Sequence, residues 1–311
     1  MGSTRAAATG SKDDNILLVG ATGGTGGSVL DGLLASGISS ASLHVLSRNP
    51  TGKGAQALAT RGVHVVTGDL DDEASVREAM KGMRAVYCHA TSKDAAKADP
   101  IGDIRAEKLA RAAKDAGIEH IVYNSSGGRG ANTKISQVDQ KHHIEDIFVE
   151  SGIPTTNLQA VLFMEEFWKV TTRPAIQKGT FPFSMPADKP LQLLAVKDMG
   201  RAAGTALLKP EEYAGKSLEL AGDELTPRQL CEEFSLAQGG SPVKQLSLPR
   251  FLFWFLNKDL FRIIKFLAET GYSAEIDDCR ARFPGMLTFR EFLKLTDWGN
   301  SKRTYEGGFR Y

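Results

Sequence analysis

The sequence predicts an α/β fold, in which a doubly wound parallel sheet is followed by a smaller C-terminal α/β domain. Over residues 15–163, short apolar runs alternate with segments of helical spacing, which is typical of βαβ units with helices on both faces of a sheet. From residue 164 this alternation stops, and Pro174, Gly179, Pro182 and Pro186 mark turns between short mixed segments. We therefore expect one domain over 15–163 and a smaller one over 164–311, parts of which could return to the sheet. We expect residues 1–14 to be disordered, because they contain little to bury.

The individual elements follow from the spacing of apolar residues. Strands are predicted at 16–19, 42–49, within 63–72, and at 85–91, 120–126 and 155–163. Helices are predicted after the first strand up to Gly37, and at 74–82, 104–117 and 138–152. The aromatic segment 250–269 is predicted to be a core or lid helix, with contact to a membrane surface as a minor alternative. Its four internal charges exclude a membrane-spanning helix.

A glycine-rich turn, GATGGTGG, joins the first strand to the first helix. A plain turn needs one or two glycines, whereas this one has five between residues 20 and 27. Backbone N–H groups at the start of a helix bind phosphate, and the Gly-x-x-Gly-x-x-Gly spacing is a wider relative of the dinucleotide-binding fingerprint. We therefore predict a Rossmann-type domain in which the turn binds a dinucleotide through Gly20, Thr22, Gly23, Gly24, Thr25 and Gly26.

The end of the second strand indicates which dinucleotide binds. NAD-specific folds carry an acidic residue here, whereas this chain has Ser47-Arg48-Asn49. Arg48 offers two donors to a 2′-phosphate, so we predict NADP(H); the alternative is a solvated surface arginine. Asp69, with Leu70 beside it, is placed to accept a hydrogen bond from the adenine amino group, although an ordinary strand-end turn explains Asp69 nearly as well.

Several polar residues are expected at the carboxyl edge of the sheet, where open α/β sheets bind ligands. They are His89 and Thr91 near the end of the fourth strand, and Ser125 and Ser126 at the end of the fifth. Each also has an ordinary structural explanation. Lys141 lies on the apolar stripe formed by Ile144, Ile147 and Phe148, with Glu145 at its polar rim. A lysine on such a stripe needs a partner, a ligand or a route to water for its ammonium group.

Five segments, GATGGTGG, SRNP, GDLDD, YNSS and KHHIEDIFVESGIPTT, resemble the NmrA-like branch of the atypical short-chain dehydrogenases. The resemblance covers most of the chain and implies a Rossmann domain, a small substrate domain and NADP(H). Short-chain dehydrogenases usually carry Tyr-x-x-x-Lys, whereas Gln137 stands four residues before Lys141 here. The Lys141 segment instead resembles the one that carries the catalytic lysine of isoflavone-reductase-like enzymes. The family often has arginine where this chain has Gln159.

The predicted function is reduction of an apolar, aromatic carbonyl, enone or imine by NADPH, in a role that could belong to secondary metabolism. Lys141 would supply the proton or positive charge, with Ser125 or a water as the relay. Phe163, Met164 and Trp168 would line the substrate pocket, although an ordinary core position is an equal alternative. Two other functions remain open: a redox sensor that binds NADP(H) without turnover, and a cyclase or isomerase that uses the same pocket.

Composition limits the partners. The net charge of +1 provides no strong overall field that would recruit nucleic acid or acidic membranes. Three cysteines without paired spacing indicate a reducing compartment. The N-terminus lacks the apolar region of a signal peptide, so we predict a cytoplasmic protein. His142 and His143 lack partners at metal-binding spacing, so we predict surface histidines and no metal site. A homodimer or a protein partner is left open.

Overall fold

The computed structural model describes residues 14–89 and 98–305. Its strands are β1 (Ile16–Val19), β2 (Leu43–Ser47), β3 (His64–Thr67), β4 (Ala85–Cys88), β5 (His120–Ser126), β6 (Thr155–Ala160), β7 (Leu162–Phe163), β8 (Thr180–Pro182), β9 (Leu191–Leu194), β10 (Ser217–Leu220), β11 (Asp223–Leu225) and β12 (Lys244–Leu246).

Its helices are α1 (Gly24–Ala35), α2 (Lys53–Ala59), α3 (Glu73–Ala79), α4 (Gly102–Asp115), α5 (Ser136–Glu150), α6 (Arg173–Gln177), α7 (Val196–Leu208), α8 (Pro210–Tyr213), α9 (Pro227–Ala237), α10 (Phe251–Leu256), α11 (Lys258–Glu269), α12 (Ile276–Arg282) and α13 (Phe289–Leu295). Two short 3₁₀ segments lie at Ser40–Ser42 and Met164–Trp168.

The predicted doubly wound fold is confirmed. Seven parallel strands form the central sheet in the order β10-β6-β5-β4-β1-β2-β3. The order in which strands are added to the sheet reverses between β1 and β4, and this is the switch point at which such sheets bind ligands. One apolar cluster covers the face under α1 and α7, and another covers the face under α4 and α5.

Residues after 163 contribute to both parts of the molecule. Helix α7 packs against α1, and β10 adds the seventh strand beside β6. The close contact between these two helices requires glycine at position 200, since a Cβ atom on Gly200 would lie 2.3 Å from the Ser28 carbonyl oxygen. The remaining elements form two small sheets, β11-β9-β7 and β12-β8, around an aromatic core that includes Phe167, Phe181 and Phe234.

Some predicted boundaries differ from the structure. The predicted strand 155–163 is two strands, because β7 leaves the central sheet after β6 and pairs with β9 instead. The predicted helix 250–269 is also two helices, since the Asn257 side chain accepts hydrogen bonds from the N–H groups of Asp259 and Leu260 and so begins α11. In the part of the chain that the structure describes, no helix is long and apolar enough to span a membrane.

A buried histidine at the start of β5 makes the fold sensitive to acid. The Thr156 hydroxyl donates to the Tyr213 carbonyl oxygen, so it accepts from His120 Nε2 at 2.8 Å. His120 is therefore neutral, and its Nδ1 is buried without a hydrogen-bond partner. Burial, with a smaller contribution from Arg84, lowers the pKa of His120 to about 4.

We expect the free energy of unfolding to fall as the pH drops from 7 to 5. The unfolded chain then binds a proton at residue 120 that the folded chain cannot, at a cost of about 2 kcal/mol at pH 5. His120→Gln, which keeps a donor but does not titrate, should remove that part of the loss in urea unfolding monitored by tryptophan fluorescence. His143→Gln, at an exposed position on α5, is the control; an equal effect of both changes would contradict the prediction.

Candidate active site

The turn after β1 is compact. Gly20 has a φ of +88°, and its carbonyl oxygen accepts from Gly23 N at 3.1 Å. A Cβ atom on Gly26 would lie 2.4 Å from that carbonyl oxygen, so this position admits glycine alone. Helix α1 begins at Gly24 without a side-chain cap. Uncapped N–H groups beside a glycine-rich turn fit the pyrophosphate of a dinucleotide.

A cavity of about 380 Å³ opens next to this turn. It is lined by Val19, Gly20, Thr22, Leu46, Ser47, Arg48, Asn49, Gly52, Gly54, Ala55, Gly68, Asp69, Leu70 and Arg105. The predicted residues Gly20, Thr22, Arg48, Asp69 and Leu70 therefore come together. Arg48 is exposed and forms no ion pair with any residue in 14–89 or 98–305, so its guanidinium group can bind an anion.

Asp69 shows features of both interpretations that the sequence left open. It lines the cavity, as expected for a residue that contacts adenine. It also forms a strand-end turn, in which its Oδ1 accepts from Asp71 N at 3.0 Å and its own N–H bonds Ser75 Oγ. The turn uses one carboxylate oxygen, Oδ1, and fixes the orientation of the other.

Arg105 is a cavity residue that the sequence analysis missed. Its side chain is nearly fully buried, and it pairs with Asp71 through Nε at 2.5 Å and Nη2 at 2.9 Å, and with Asp99 through Nη1 at 2.8 Å. The single positive charge of Arg105 offsets part of the negative charge of these two carboxylates, which would otherwise repel a phosphate in the cavity more strongly. The signal was present, because Arg105 shares a helical stripe with Leu109 and Ala112.

The second half of the site lies at the ends of β4 and β5. His89 is next to the glycine turn, since a Cβ atom on Gly20 would lie 3.6 Å from His89 Cβ. Asn124 Nδ2 donates to His89 Nδ1 at 2.7 Å, which places the proton of the neutral ring on Nε2. Burial, and then the nearby Lys141 ammonium group, lower the pKa of His89 to about 3. His89 is therefore neutral at physiological pH.

Lys141 reaches this half of the site from α5. It forms no ion pair with any residue of the described ranges, and burial lowers its pKa. Glu145, expected at the polar rim, is 1% exposed and bound elsewhere: Gln159 Nε2 donates to both of its oxygens, and Arg129 Nη1 lies 3.1 Å from Oε2. Glu145 therefore does not pair with Lys141, whose side chain is partly exposed.

The two serines of β5 differ in their surroundings. Ser125 is 1% exposed, and its Oγ has no hydrogen-bond partner. Ser126 is partly exposed, and its carbonyl oxygen accepts from His142 Nε2 at 2.8 Å. His142 was expected at the surface but is partly buried, because this hydrogen bond joins α5 to the end of β5.

The three aromatic and sulfur-containing residues predicted for a substrate pocket separate into two environments. Phe163 is partly exposed, whereas Met164 and Trp168 are 0% and 1% exposed. Trp168 packs edge-on against Trp298, and its Nε1 donates to Thr296 Oγ1 at 3.2 Å. Met164 and Trp168 therefore belong to the core, which was the alternative to a pocket role. For Phe163, a place in the substrate pocket stays a prediction.

Thr91 lies outside the described residues, so its predicted contact with the cofactor stays a prediction. Among the residues that the structure describes, no cluster of three or more histidine, cysteine or acidic side chains could hold a metal ion.

Comparison with known proteins identifies the family. The model of the NmrA-like family matches residues 12–293. This chain belongs to the NmrA-like family. The resemblance inferred from the sequence motifs is therefore confirmed.

Members and neighbours of the NmrA-like family include enzymes and a regulator. The chain is 27% identical to quinone oxidoreductase 2 of Escherichia coli over 225 residues, which are 72% of this chain and 74% of that protein. Its fold matches triphenylmethane reductase of Citrobacter sp. complexed with NADP(H), with a TM-score of 0.76, 21% identity, and coverage of 90% and 99% of the two chains. It also matches NmrA, a negative transcriptional regulator, in complex with NAD, with a TM-score of 0.70, 20% identity, and coverage of 91% and 95%.

Proposed function

We propose that this chain is an NADP(H)-dependent reductase of an apolar, aromatic carbonyl, enone or imine. The observation that carries the proposal is Lys141, whose ammonium group has no ion pair in the described ranges and lies near His89 at the switch point. A sensor has no need of an unpaired charge beside the reacting end of its cofactor, whereas a reductase must stabilise charge there. Quinone oxidoreductase 2 and triphenylmethane reductase, whose names describe reduction of a quinone and of a triphenylmethane, support it.

In this proposal, different residues of the site contact different parts of the cofactor. The glycine turn and the start of α1 hold the pyrophosphate, Arg48 holds the 2′-phosphate, and Asp69 with Leu70 contacts the adenine. His89 and Ser126 border the nicotinamide. A place in secondary metabolism is part of the same proposal.

NADPH supplies the hydride when it is bound. The chain supplies orientation and charge: Lys141 stabilises the negative charge that develops on the substrate oxygen or nitrogen and donates the proton. Ser125 Oγ, which no structural hydrogen bond uses, relays that proton. Because His89 is neutral, it adds no positive charge that would lower the pKa of Lys141, and the Lys141 ammonium group stays protonated. Phe163 packs against the apolar substrate.

The role of Arg48 leads to a prediction about cofactor choice. Arg48→Ser should raise the Kd of NADPH by about tenfold and leave that of NADH unchanged, because the charged hydrogen bonds to the 2′-phosphate are lost. Isothermal titration with both cofactors measures this difference. Arg61→Ser is the matched control, since Arg61 pairs with Asp31 and does not line the cavity. Equal weakening of NADPH and NADH by Arg48→Ser would contradict the assignment.

Turnover tests the proposed activity. We expect the purified chain to oxidise NADPH when supplied with a quinone, an enone, a cyclic imine or a cationic triphenylmethane dye, with one product molecule formed per NADPH consumed. This stoichiometry also separates a reductase from the cyclase or isomerase alternative, which leaves NADPH unchanged. Product formation without cofactor consumption would contradict the reductase.

A redox sensor is the second candidate, and Gln137 favours it. Gln137 occupies the place of the usual catalytic tyrosine, and NmrA is a regulator with the same fold. A sensor must bind NADP⁺ and NADPH differently or recruit a partner protein in one state alone. Titration of both forms, with pull-down in the presence of each, distinguishes this candidate when no substrate class is turned over.

A further inference from the structure

The exposed apolar side chains of this protein are concentrated in one place. Thirteen large hydrophobic residues of the described ranges are exposed, and seven of them lie between residues 246 and 260. We call these seven the apolar tip: Leu246, Leu248, Phe251, Leu252, Trp254, Phe255 and Leu260. Phe255 is 81% exposed. Exposed large apolar side chains gathered in one short segment are typical of an interaction site.

The apolar tip is held firmly by the rest of the molecule. Helix α11 buries Phe266 and Leu267 in the aromatic core, and Asn257 fixes the bend between α10 and α11. Ser136 Oγ donates to Asp259 Oδ2 at 2.6 Å, which ties α11 to the first residue of α5. Because α5 also carries Lys141, the apolar tip lies beside the helix that supplies the candidate catalytic lysine.

Positive charge accompanies the apolar tip. Residues 244–269 contain five basic side chains and two acidic ones, a net charge of +3. The whole chain has a net charge of +1, so the remainder of the molecule is at −2. Lys258 Nζ lies 5.6 Å from the centre of the Trp254 ring, at the edge of the apolar surface. Phenylalanine, tryptophan and leucine flanked by lysine and arginine are the composition of helices that lie in the interface of an anionic bilayer.

We propose that the apolar tip docks on an anionic lipid bilayer. Phe251, Trp254 and Phe255 enter the boundary between headgroups and acyl chains. Lys244 and Lys258, which form no ion pair in the described ranges, contact the lipid phosphates, whereas Arg250, Arg262 and Lys265 pair with Asp259 and Glu269. Helix α10 is six residues long, which suits insertion into the interface and excludes a span. Docking brings the start of α5 to the membrane, where an apolar substrate dissolved in lipid can reach the site. That last step rests on the proposed function, whereas docking itself does not.

Co-sedimentation with lipid vesicles tests this proposal on the full chain without cofactor. We expect binding to vesicles of phosphatidylcholine mixed with phosphatidylglycerol, weaker binding to phosphatidylcholine alone, and release by salt. Phe255→Glu should lower the partition coefficient by at least about tenfold, since it replaces an aromatic ring that would enter the lipid with a charge that the lipid repels. Val149→Glu, on an exposed apolar residue at the far end of α5, is the matched control.

The remaining outcomes are equally decisive. NADPH binding by Phe255→Glu should equal that of the parent, which shows that the variant is folded. Absence of binding to both vesicle types, or an equal loss with Val149→Glu, would overturn the proposal. So would a dimer in light scattering that Phe255→Glu dissociates, because the apolar tip would then be covered by a second copy. Since the vesicle measurement uses no turnover, it can fail while the reductase assay succeeds, and the reverse.

Discussion

Lys141→Met should lower kcat by about 10²- to 10⁴-fold, because it removes the group that we propose stabilises and protonates the developing anion. The same change should leave the free energy of unfolding equal or raise it, because it removes a charge that is partly buried without an ion pair in the described residues. Stopped-flow measurement of NADPH oxidation and urea unfolding give the two quantities. A parallel loss of stability and activity would indicate a structural lysine and contradict the assignment.

The pH dependence of kcat tests whether catalysis depends on the positive charge of Lys141. Burial lowers the pKa of Lys141 below that of a free lysine, so the protonated, active form is lost as the pH rises through this lowered value. We expect kcat to fall on the alkaline side accordingly. Lys141→Arg keeps a positive charge at every accessible pH, so whatever activity it retains should show no alkaline fall.

Gly26→Ala should raise the Kd of NADPH by up to about 100-fold and destabilise the fold by about 1–3 kcal/mol. The new Cβ atom would lie 2.4 Å from the Gly20 carbonyl oxygen, 2.6 Å from Gly20 C and 2.8 Å from Ala21 N. All three atoms belong to the backbone, so the turn or α1 has to move, and the N–H groups that bind pyrophosphate move with it.

Gly27→Ala is the matched control for this prediction. Gly27 is the next residue of α1, but its Cβ atom would lie 3.4 Å from the Ala21 carbonyl oxygen, which a small shift relieves. We expect a near-normal Kd for NADPH in titrations of Gly27→Ala. Equal effects of the two substitutions would show that the crowding at Gly26 is not what shapes the binding turn.

The sequence predicts the cofactor-binding half of the fold well, because its signals are local. A buried strand, a glycine turn and an amphipathic helix follow one another within residues 16–35, and the structure forms all three there. Helix α2 was missed, since its seven residues contain glycine and three alanines and carry little periodicity. The return of α7 and β10 to the central sheet depends on contacts with α1 and β6, which no local pattern encodes.

The site was predicted less completely, because several of its contacts join segments that are far apart in the sequence. Lys141 stands out because its apolar stripe is a local pattern. The sequence could not predict that Lys141 and Glu145 form no ion pair, because Gln159 and Arg129, which bind the Glu145 carboxylate, come from other segments. The bonds that Arg105 makes to Asp71 and Asp99 likewise join three separate parts of the chain.

Transfer of deuterium from NADPH tests the central claim most directly. NADPH labelled at its transferable position, with the two stereoisomers in separate reactions, would be incubated with the chain and a small-molecule extract of the source organism. We predict that one stereoisomer delivers deuterium to a single class of apolar product, detected by mass spectrometry, and that Lys141→Met abolishes the label. Tight NADPH binding without transfer from either stereoisomer would contradict the reductase and favour a sensor or a redox-neutral catalyst.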